Sequence, residues 1–261
     1  LGVWLLTGLL VSGGTRAVVQ SEKGDSVPKD ASARTIRIAT FNASLNRATA
    51  GGLVDDLRKD DCVQARNVAE IIQRVAPDIV VLQEFDYDPR GEGIRLFQSA
   101  YLAKSQNGAP GIEYSYVYQP PVNTGVPTGL DLSRDGKIDG PGDAQGFGVH
   151  PGQYGFVVLS RYPLMLDKAR TFQNLLWSAM PGARIPVDPE RSNGLWYSDE
   201  ALAVQRLSSK THIDLPVRLG NQDVHLLVAH PTPPVFDGPE DRNGRRNHDE
   251  IRLFADYVST E

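Results

Sequence analysis

The strongest structural signal in this sequence is the stretch Asp78-Ile79-Val80-Val81-Leu82-Gln83-Glu84, in which an aliphatic run ends in one carboxylate. A strand buried on both faces needs such a run, and at its end the backbone leaves the sheet for the surface. Two further stretches follow the same pattern: Ile36-Arg37-Ile38-Ala39-Thr40-Phe41-Asn42 and Val224-His225-Leu226-Leu227-Val228-Ala229-His230. We therefore expect Asn42, Glu84 and His230 to lie together at one edge of a sheet.

An amide, a carboxylate and an imidazole suit a hard divalent cation and a phosphoester. Each of the three also has an ordinary structural explanation. Glu84 could be an exposed carboxylate at a strand end, Asn42 could form a turn, and His230 could be a hydrogen-bonded histidine of the core. His225 lies five positions before His230, and an odd offset on a strand places it on the opposite face, so we assign it no role.

Four short motifs occur in a characteristic order along the chain: Thr-Phe-Asn (residues 40–42), Leu-Gln-Glu-Phe (82–85), Leu-Ser-Arg-Tyr-Pro-Leu (159–164) and Val-Ala-His-Pro (228–231). Together they resemble the endonuclease/exonuclease/phosphatase superfamily over residues 34–258, most of all its exported bacterial members with long loops. The resemblance implies an α/β fold, a four-layered α/β sandwich of two packed mixed sheets flanked by helices. It also implies a divalent-metal-dependent phosphoesterase.

The resemblance implies a role for each site residue. Glu84 would hold Mg²⁺, or Mn²⁺ or Ca²⁺. Asn42 would bind the metal or orient the phosphate, and His230 would donate a hydrogen bond or proton while water attacks phosphorus. Relatives also place cleft residues near Gln153 and Tyr154. The superfamily's later Gly-Asp-x-Asn strand and closing Asp-His pair have no counterpart here, so the resemblance predicts an incomplete domain over residues 34–261.

A polar, proline-rich loop follows His230, and loops after a catalytic strand often carry function. Its arginines include Arg242 and Arg246, which could grip a substrate phosphate as forked donors. The alternative is that Asp237, Glu240 and Asp241 pair with these arginines on the surface. We take Arg246 and Arg242 as candidate substrate-binding residues and leave the alternative open.

A second candidate site is an EF-hand-like calcium loop. Oxygen side chains at its positions one, three, five and nine are supplied by Asp131, Ser133, Asp135 and Asp139, with glycine at position six. The twelfth position is Gly142 instead of glutamate, although Asp143 is adjacent, which shifts the last ligand or weakens affinity. The hypothesis is a structural Ca²⁺, and the alternative is an ordinary Asp/Gly turn.

The N-terminal residues predict export. Residues 1–20 begin with an apolar stretch that is too short to span a bilayer and resembles a signal peptide, and a polar linker follows over residues 21–33. We expect a secreted or periplasmic protein without a stable membrane anchor. A buried first helix is the alternative. The single cysteine, Cys62, excludes an intrachain disulfide.

The charge balance bears on the substrate. The net charge is −5, with 32 acidic against 27 basic residues, which gives no basic footprint for tight nonspecific nucleic-acid binding. We therefore favour a small phosphorylated molecule as the substrate, and we expect the protein to be a monomer. The alternatives are a secreted nuclease acting on DNA or RNA, and a non-catalytic, calcium-stabilised exported protein on the same fold.

Local patterns predict several elements. Apolar residues at helical spacing indicate helices over Val63–Val75, Ile94–Leu102 and Asn247–Val258. Strands are expected over Thr35–Phe41, Asp78–Glu84 and Tyr154–Leu159. A hairpin is expected from strands near Val204–Thr211 and Val224–Ala229, joined through Gly220-Asn221.

Overall fold

The computed structural model of the protein describes residues 35–191 and 194–259. The predicted leader and the polar linker lie outside the described residues. Within the described part of the chain, no helix has the length and apolar character that crossing a membrane requires.

The first sheet contains four strands, β1 (Ile38–Leu45), β2 (Ile79–Phe85), β3 (Tyr116–Tyr118) and β4 (Phe156–Ser160), in the order β1-β2-β4-β3. β1 and β2 are parallel, and β4 is antiparallel to both β2 and β3. This sheet is mixed, as predicted, and the three strands expected in it are found with ends displaced by a few residues.

The second sheet contains β5 (Arg170–Thr171), β6 (Ile213–Leu219) and β7 (Gln222–Val228) in that order. All its pairings among the described residues are antiparallel. β6 and β7 form the expected hairpin through Gly220 and Asn221. Gly220 has φ of +63°, which glycine adopts without strain.

The helices are α1 (Gly52–Arg58), α2 (Val63–Val75), α3 (Glu92–Leu96, continued by a π-helical turn over Phe97–Leu102), α4 (Asp199–Leu202) and α5 (Arg242–Ser259). α2 has the predicted bounds because its apolar residues recur strictly at helical spacing and are buried, among them Val68 and Ile72. α5 begins five residues earlier than predicted. Asp237 Oδ2 accepts hydrogen bonds from the backbone N–H groups of Asn243 and Gly244 and so extends the helix into the polar loop.

The elements pack as helix, sheet, sheet and helix. Alternating residues of β2 serve two cores: Val80 and Leu82 pack with the helices α1–α3, and Ile79 and Val81 pack against Leu215 and other residues of the second sheet. α5 covers the far face of the second sheet, where the Phe254 ring lies 4.9 Å from the His212 ring. The four-layered α/β sandwich is therefore confirmed. A third cluster of buried side chains lies around Trp177.

The first strand of the hairpin is not where the sequence predicted it. β6 occupies Ile213–Leu219 and contains Pro216, a residue that argues against a strand because it lacks the N–H group. Pro216 lies beyond the two residues that pair with β5, and its carbonyl still accepts a hydrogen bond from the N–H group of Met165 on that side of the strand. The residues just before β6, here called the pre-β6 segment (residues 208–212), form no strand and bury five polar side chains: Ser208, Ser209, Lys210, Thr211 and His212.

Candidate active site

The candidate site forms where β1 and β2 end. The two strands run parallel, with Asn42 opposite Gln83, and the register then shifts because β1 contains one residue more than β2 before Leu45 meets Phe85. Such a bulge bends the strand and redirects side chains. Ser44 and Glu84 have φ of +51° and +56°, a left-handed conformation that is uncommon outside glycine and that collects at functional sites.

The Glu84 carboxylate is the centre of this site. Its Oε1 accepts a hydrogen bond of 2.9 Å from Asn42 Nδ2 and lies 3.5 Å from His230 Nε2. Its Oε2 accepts from Asn46 Nδ2 at 3.2 Å and from Ser44 Oγ at 3.5 Å. The structure thus brings Asn42, Glu84 and His230 into contact, with the first two from one sheet and His230 just after β7 of the other.

The surroundings of Glu84 stabilise its ionised form. The contact with His230 lowers the pKa of the carboxyl below its ordinary value, and Asn42 and the charge of Lys210 act in the same direction, while burial opposes them. The side chain is 23% exposed, so it is half-buried and still reachable from the cleft. At neutral pH the cleft therefore presents a carboxylate anion.

Tyr154, near which the resemblance places cleft residues, is a neighbour of Glu84, whereas Asp86 and Lys210 were not predicted as site residues. Tyr154 has φ of +55°, and burial, with the charges of Glu84 and Asp86, raises the pKa of its hydroxyl. Asp86 fixes this part of the chain by accepting hydrogen bonds from the backbone N–H groups of Arg47 and Tyr154. Lys210 of the pre-β6 segment is the other neighbour. Its signal in the sequence was a polar run, Ser208–His212, which is out of place in a predicted strand.

The arginines after His230 have partners within the fold. Arg246 is 7% exposed, and its Nε and Nη2 donate to the backbone carbonyls of Leu207, Gln145 and Arg206. Arg242 is the first residue of α5. Its Nε lies 3.4 Å from Glu240 Oε1, and its guanidinium lies 5.8 Å from the Trp196 ring centroid. These contacts give Arg246 a structural part, and substrate binding by either arginine stays a prediction.

The predicted calcium loop gathers three carboxylates. Asp131, Asp135 and Asp143 can bring one oxygen each within 4.8 Å of one another, and Asp139 is not part of this group. Asp143 is 1% exposed, and its Oδ1 accepts from the backbone N–H groups of Leu132 and Ser133. Asp131 is hydrogen-bonded to the loop in the same way, through the N–H groups of Asp135 and Gly136. Asp143, next to the twelfth position of the loop, thus completes the group of three carboxylates.

A cavity of about 760 Å³ opens on the outer face of the second sheet, away from Glu84. It is lined by His225, whose Nδ1 lies 2.6 Å from Asp214 Oδ1, and by Tyr257 of α5. It contains none of the three candidate site residues. Its lining agrees with the prediction that His225 and His230 belong to opposite faces of β7.

The chain was compared with known proteins. Residues 39–257 match the sequence pattern of the Endonuclease/Exonuclease/phosphatase family. No curated protein matches the sequence.

Three similar solved structures share low sequence identity with it. An endonuclease/exonuclease/phosphatase from Beutenbergia cavernae DSM 12333 is 20% identical, with a TM-score of 0.42, and the match covers 85% of this chain and 43% of that one. Sphingomyelinase C from Streptomyces griseocarneus is 19% identical, with a TM-score of 0.40 and coverage of 86% and 59%. Truncated Caenorhabditis elegans TDP2 is 15% identical, with a TM-score of 0.38 and coverage of 85% and 54%.

The chain thus spans about half the length of these three proteins. The family pattern covers most of this chain, from β1 to the last turns of α5, and it includes all three residues that meet at the candidate site. On that match, the chain belongs to the endonuclease/exonuclease/phosphatase family.

Proposed function

We propose that this protein is a divalent-metal-dependent phosphoesterase whose site is centred on Glu84. The observation that carries the proposal is the contact of Glu84 with Asn42 and His230 at the meeting edges of the two sheets. An ionised carboxylate, a carboxamide and an imidazole at one cleft are the groups with which proteins hold a hard cation and a phosphoester.

The donor set fits Mg²⁺ or a similar ion. Glu84 offers an anionic oxygen that hydrogen bonds keep ionised, and hard cations prefer such ligands. Asn42 Oδ1 accepts from the N–H group of Ser44 at 3.0 Å and retains a second lone pair for a ligand. Glu84 would be the principal ligand, and Asn42 would add an amide oxygen. A bound cation would supply Lewis-acid polarisation of a phosphate oxygen.

The protein side chains have separate parts in this proposal. Asn42 holds Glu84 Oε1 in one orientation through its Nδ2 group. His230 is 23% exposed and lies 3.5 Å from Glu84, so its imidazole would donate a hydrogen bond to a phosphate oxygen bound there. Positioning donors before the reaction avoids the cost of reorganising them in the transition state.

The substrate class favoured is a small phosphoester. The protein is acidic overall. Its compact basic cluster is Arg242–Arg246, and within it Arg246 is buried against backbone carbonyls. Arg242 pairs with Glu240, so this cluster does not offer a row of free cations to a long duplex. A secreted nuclease acting on DNA or RNA is the alternative within the same chemistry.

The experiment is an activity screen of the full-length protein with and without a chelator. The panel should contain phosphomonoesters, small phosphodiesters and plasmid DNA, each measured with added Mg²⁺, Mn²⁺ or Ca²⁺. We expect chelator-sensitive hydrolysis of a small phosphoester. Chelator-resistant activity, or no hydrolysis of any phosphoester in the panel, would contradict the proposal.

A structural Ca²⁺ in the loop of residues 131–143 is a second, independent proposal. It is favoured by the three carboxylates that converge there, since Ca²⁺ is bound by several oxygen ligands in flexible loops. If the full-length protein hydrolyses nothing but binds Ca²⁺ at this loop, the non-catalytic exported binding protein becomes the better explanation.

Export of a monomer into the periplasm or the medium also stays a proposal, which rests on the apolar start of residues 1–20. N-terminal sequencing of the mature protein from cell fractions would test the cleavage, and light scattering of the purified protein would give its mass in solution. Recovery of uncleaved protein from the cytoplasm would contradict export.

A further inference from the structure

The register of the β6–β7 hairpin places Lys210 beside the candidate site. Ile213, the first residue of β6, pairs with Val228, the last residue of β7. Lys210 lies three residues before Ile213, and His230 lies two residues after Val228. The segment that enters β6 and the loop that leaves β7 are therefore adjacent at one edge, the edge at which His230 meets Glu84.

Lys210 is a mostly buried residue whose ammonium group has no hydrogen-bond or ion-pair partner among the described residues. Its side chain is more than nine-tenths buried, at 8% exposure. Across residues 35–191 and 194–259, no hydrogen bond or ion pair to its Nζ is found. Burial lowers the pKa of the ammonium, and the charges of Glu250 and Glu84 oppose that effect, which places Lys210 near both carboxylates. A buried cation without an oxygen partner costs free energy, so an arriving anion is favoured there.

The backbone on either side of Lys210 is held rigidly. Ser209 donates to Glu250 Oε1 from its N–H group at 2.6 Å and from its Oγ at 2.8 Å. The carbonyl of Lys210 accepts from the N–H group of Asn123 at 2.8 Å. Gly146 packs so closely on this segment that a Cβ there would lie 2.0 Å from the Ser209 carbonyl oxygen. These contacts restrict the backbone position from which the Lys210 side chain projects.

One carboxylate holds both segments of the cleft. Glu250 of α5 is fully buried, and while its Oε1 binds Ser209, its Oε2 accepts from the N–H group of Thr232 at 2.7 Å. Thr232 lies two residues after His230. Glu250 therefore fixes the position of the Lys210 segment relative to the His230 loop, although it does not face the cleft.

We propose that Lys210 is a phosphate-binding residue of this cleft, which donates to a non-bridging oxygen of the substrate phosphoester beside Glu84 and His230, and that Glu250 is its positioning residue. This inference rests on the proposed function, since it assigns a further part of the same site. Its physical reason is charge. A phosphate that approaches the Glu84 carboxylate is repelled unless cations lie close to it, and Lys210 is a cation of the protein itself that is placed to do so.

The test compares three lysine variants of the full-length protein at saturating Mg²⁺. Lys210→Met removes the charge and keeps most of the apolar stem, Lys210→Arg restores a cation, and Lys104→Met is the control, because Lys104 is an exposed lysine that pairs with Asp60. The measurements are the Kd of inorganic phosphate by calorimetry, KM and kcat on a small phosphoester, and the thermal midpoint.

We expect Lys210→Met to weaken phosphate binding by about tenfold or more, the usual effect of a charge-assisted hydrogen bond. Lys210→Arg should recover most of the affinity, and Lys104→Met should bind phosphate like the wild type. Wild-type phosphate affinity in Lys210→Met, whatever its thermal midpoint, would overturn the proposal. If the wild type hydrolyses no phosphoester, the proposed function fails, and phosphate binding alone then decides on Lys210.

The positioning part is tested by a double-mutant cycle on phosphate affinity. Glu250→Gln should weaken phosphate binding, and the Glu250→Gln, Lys210→Met double variant should be no weaker than Lys210→Met alone, because both changes remove the same contact. Fully additive losses would show that Glu250 acts independently of Lys210 and would overturn its positioning role.

Discussion

Asn42 and Glu84 are joined by a hydrogen bond of 2.9 Å from Nδ2 to Oε1, although they are 42 positions apart in the sequence. The bond exists because β1 and β2 are parallel neighbours, so that their carboxyl ends meet at one edge of the sheet. It fixes the carboxylate oxygen that also faces His230 Nε2. The amide thus orients the anion on which the proposed chemistry depends.

The first prediction concerns this anion. Glu84→Gln should lower kcat by about 10²-fold or more, because it removes the negative charge that holds the metal while leaving the size of the side chain unchanged. Steady-state kinetics on a small phosphoester would measure the loss, with Glu113→Gln, a change of an exposed glutamate, as the control. Near-normal turnover of Glu84→Gln at saturating Mg²⁺ would exclude Glu84 as a metal ligand.

The second prediction separates the two arginines after His230. Arg246→Ala should lower the free energy of unfolding by at least about 2 kcal/mol, because three backbone carbonyls lose a donor in a buried place. Arg242→Ala should lower it by less than Arg246→Ala, since Arg242 is partly exposed and its contact with Glu240 spans 3.4 Å.

Urea denaturation of both variants would give these free energies, and enzyme kinetics would complete the comparison. Unchanged stability of Arg246→Ala together with a raised KM would restore Arg246 as a substrate-binding residue.

The third prediction concerns stability against pH. Burial alone would raise the pKa of Asp249, but hydrogen bonds from Trp177 Nε1 and the N–H group of Arg184 outweigh it, so the pKa is lowered. The folded state therefore holds the carboxylate more strongly than the unfolded state does. That stabilisation is complete above the unfolded pKa of about 3.9 and is lost as the pH falls through the folded pKa.

We therefore expect the free energy of unfolding to fall as the pH drops below about 4, and to fall less in Asp249→Asn than in the wild type. Urea denaturation between about pH 3 and pH 7 would measure both curves, with the exposed Asp167→Asn as the control. Parallel curves for the wild type and Asp249→Asn would show that another group governs the acid limb.

Local patterns predicted the elements whose signal is complete within one segment. β2 is an uninterrupted aliphatic run, and α2 repeats its apolar residues strictly, so neither needs the rest of the chain to be recognised. Asn42, Glu84 and His230 were predicted to lie together because each ends an apolar run. The position of β6 was not predicted, because the strand contains Pro216 and its partners on that side, β5 and Met165, are distant in the sequence.

The contacts that the sequence did not predict join residues that are distant along the chain. The position of Lys210 depends on the register of the β6–β7 hairpin and on the hydrogen bond between Ser209 and Glu250, which are 41 positions apart. Arg246 donates to the carbonyl of Gln145 across 101 positions. Such distant partners determine the position of a buried polar residue, and the neighbouring sequence does not predict which residues they are.

The fourth prediction concerns the loop of residues 131–143. If it binds Ca²⁺, a chelator should lower the thermal midpoint, because a ligand that binds only the folded state stabilises it. The double change Asp131→Asn and Asp135→Asn should remove this sensitivity. Asp139→Asn is the matched control, since Asp139 lies outside the group of three carboxylates and should leave the sensitivity intact.

The measurement is best made on a Glu84→Gln background, so that the catalytic metal does not contribute. A thermal midpoint that is indifferent to chelator and to added Ca²⁺ would reduce the loop to an ordinary turn. Loss of sensitivity in Asp139→Asn would instead support the ligand set predicted from the EF-hand pattern.

The last prediction concerns substrate class and rests on charge. A protein that binds a nucleic-acid duplex gains affinity by releasing counterions, so its rate falls steeply with salt. This chain has 32 acidic and 27 basic residues, and two arginines of its compact basic cluster are paired within the fold. Capture of one phosphate group by a few cations of the cleft requires no such row of contacts.

We therefore expect hydrolysis of a small phosphoester whose kcat/KM changes only weakly between about 50 and 200 mM salt, whereas a protein making 6–10 phosphate contacts loses about 10³-fold or more in affinity. The same salt series with plasmid DNA as substrate is the matched comparison. Efficient cleavage of the plasmid with a steep salt dependence, and no turnover of small phosphoesters, would identify a nuclease, because only an extended set of phosphate contacts produces both results.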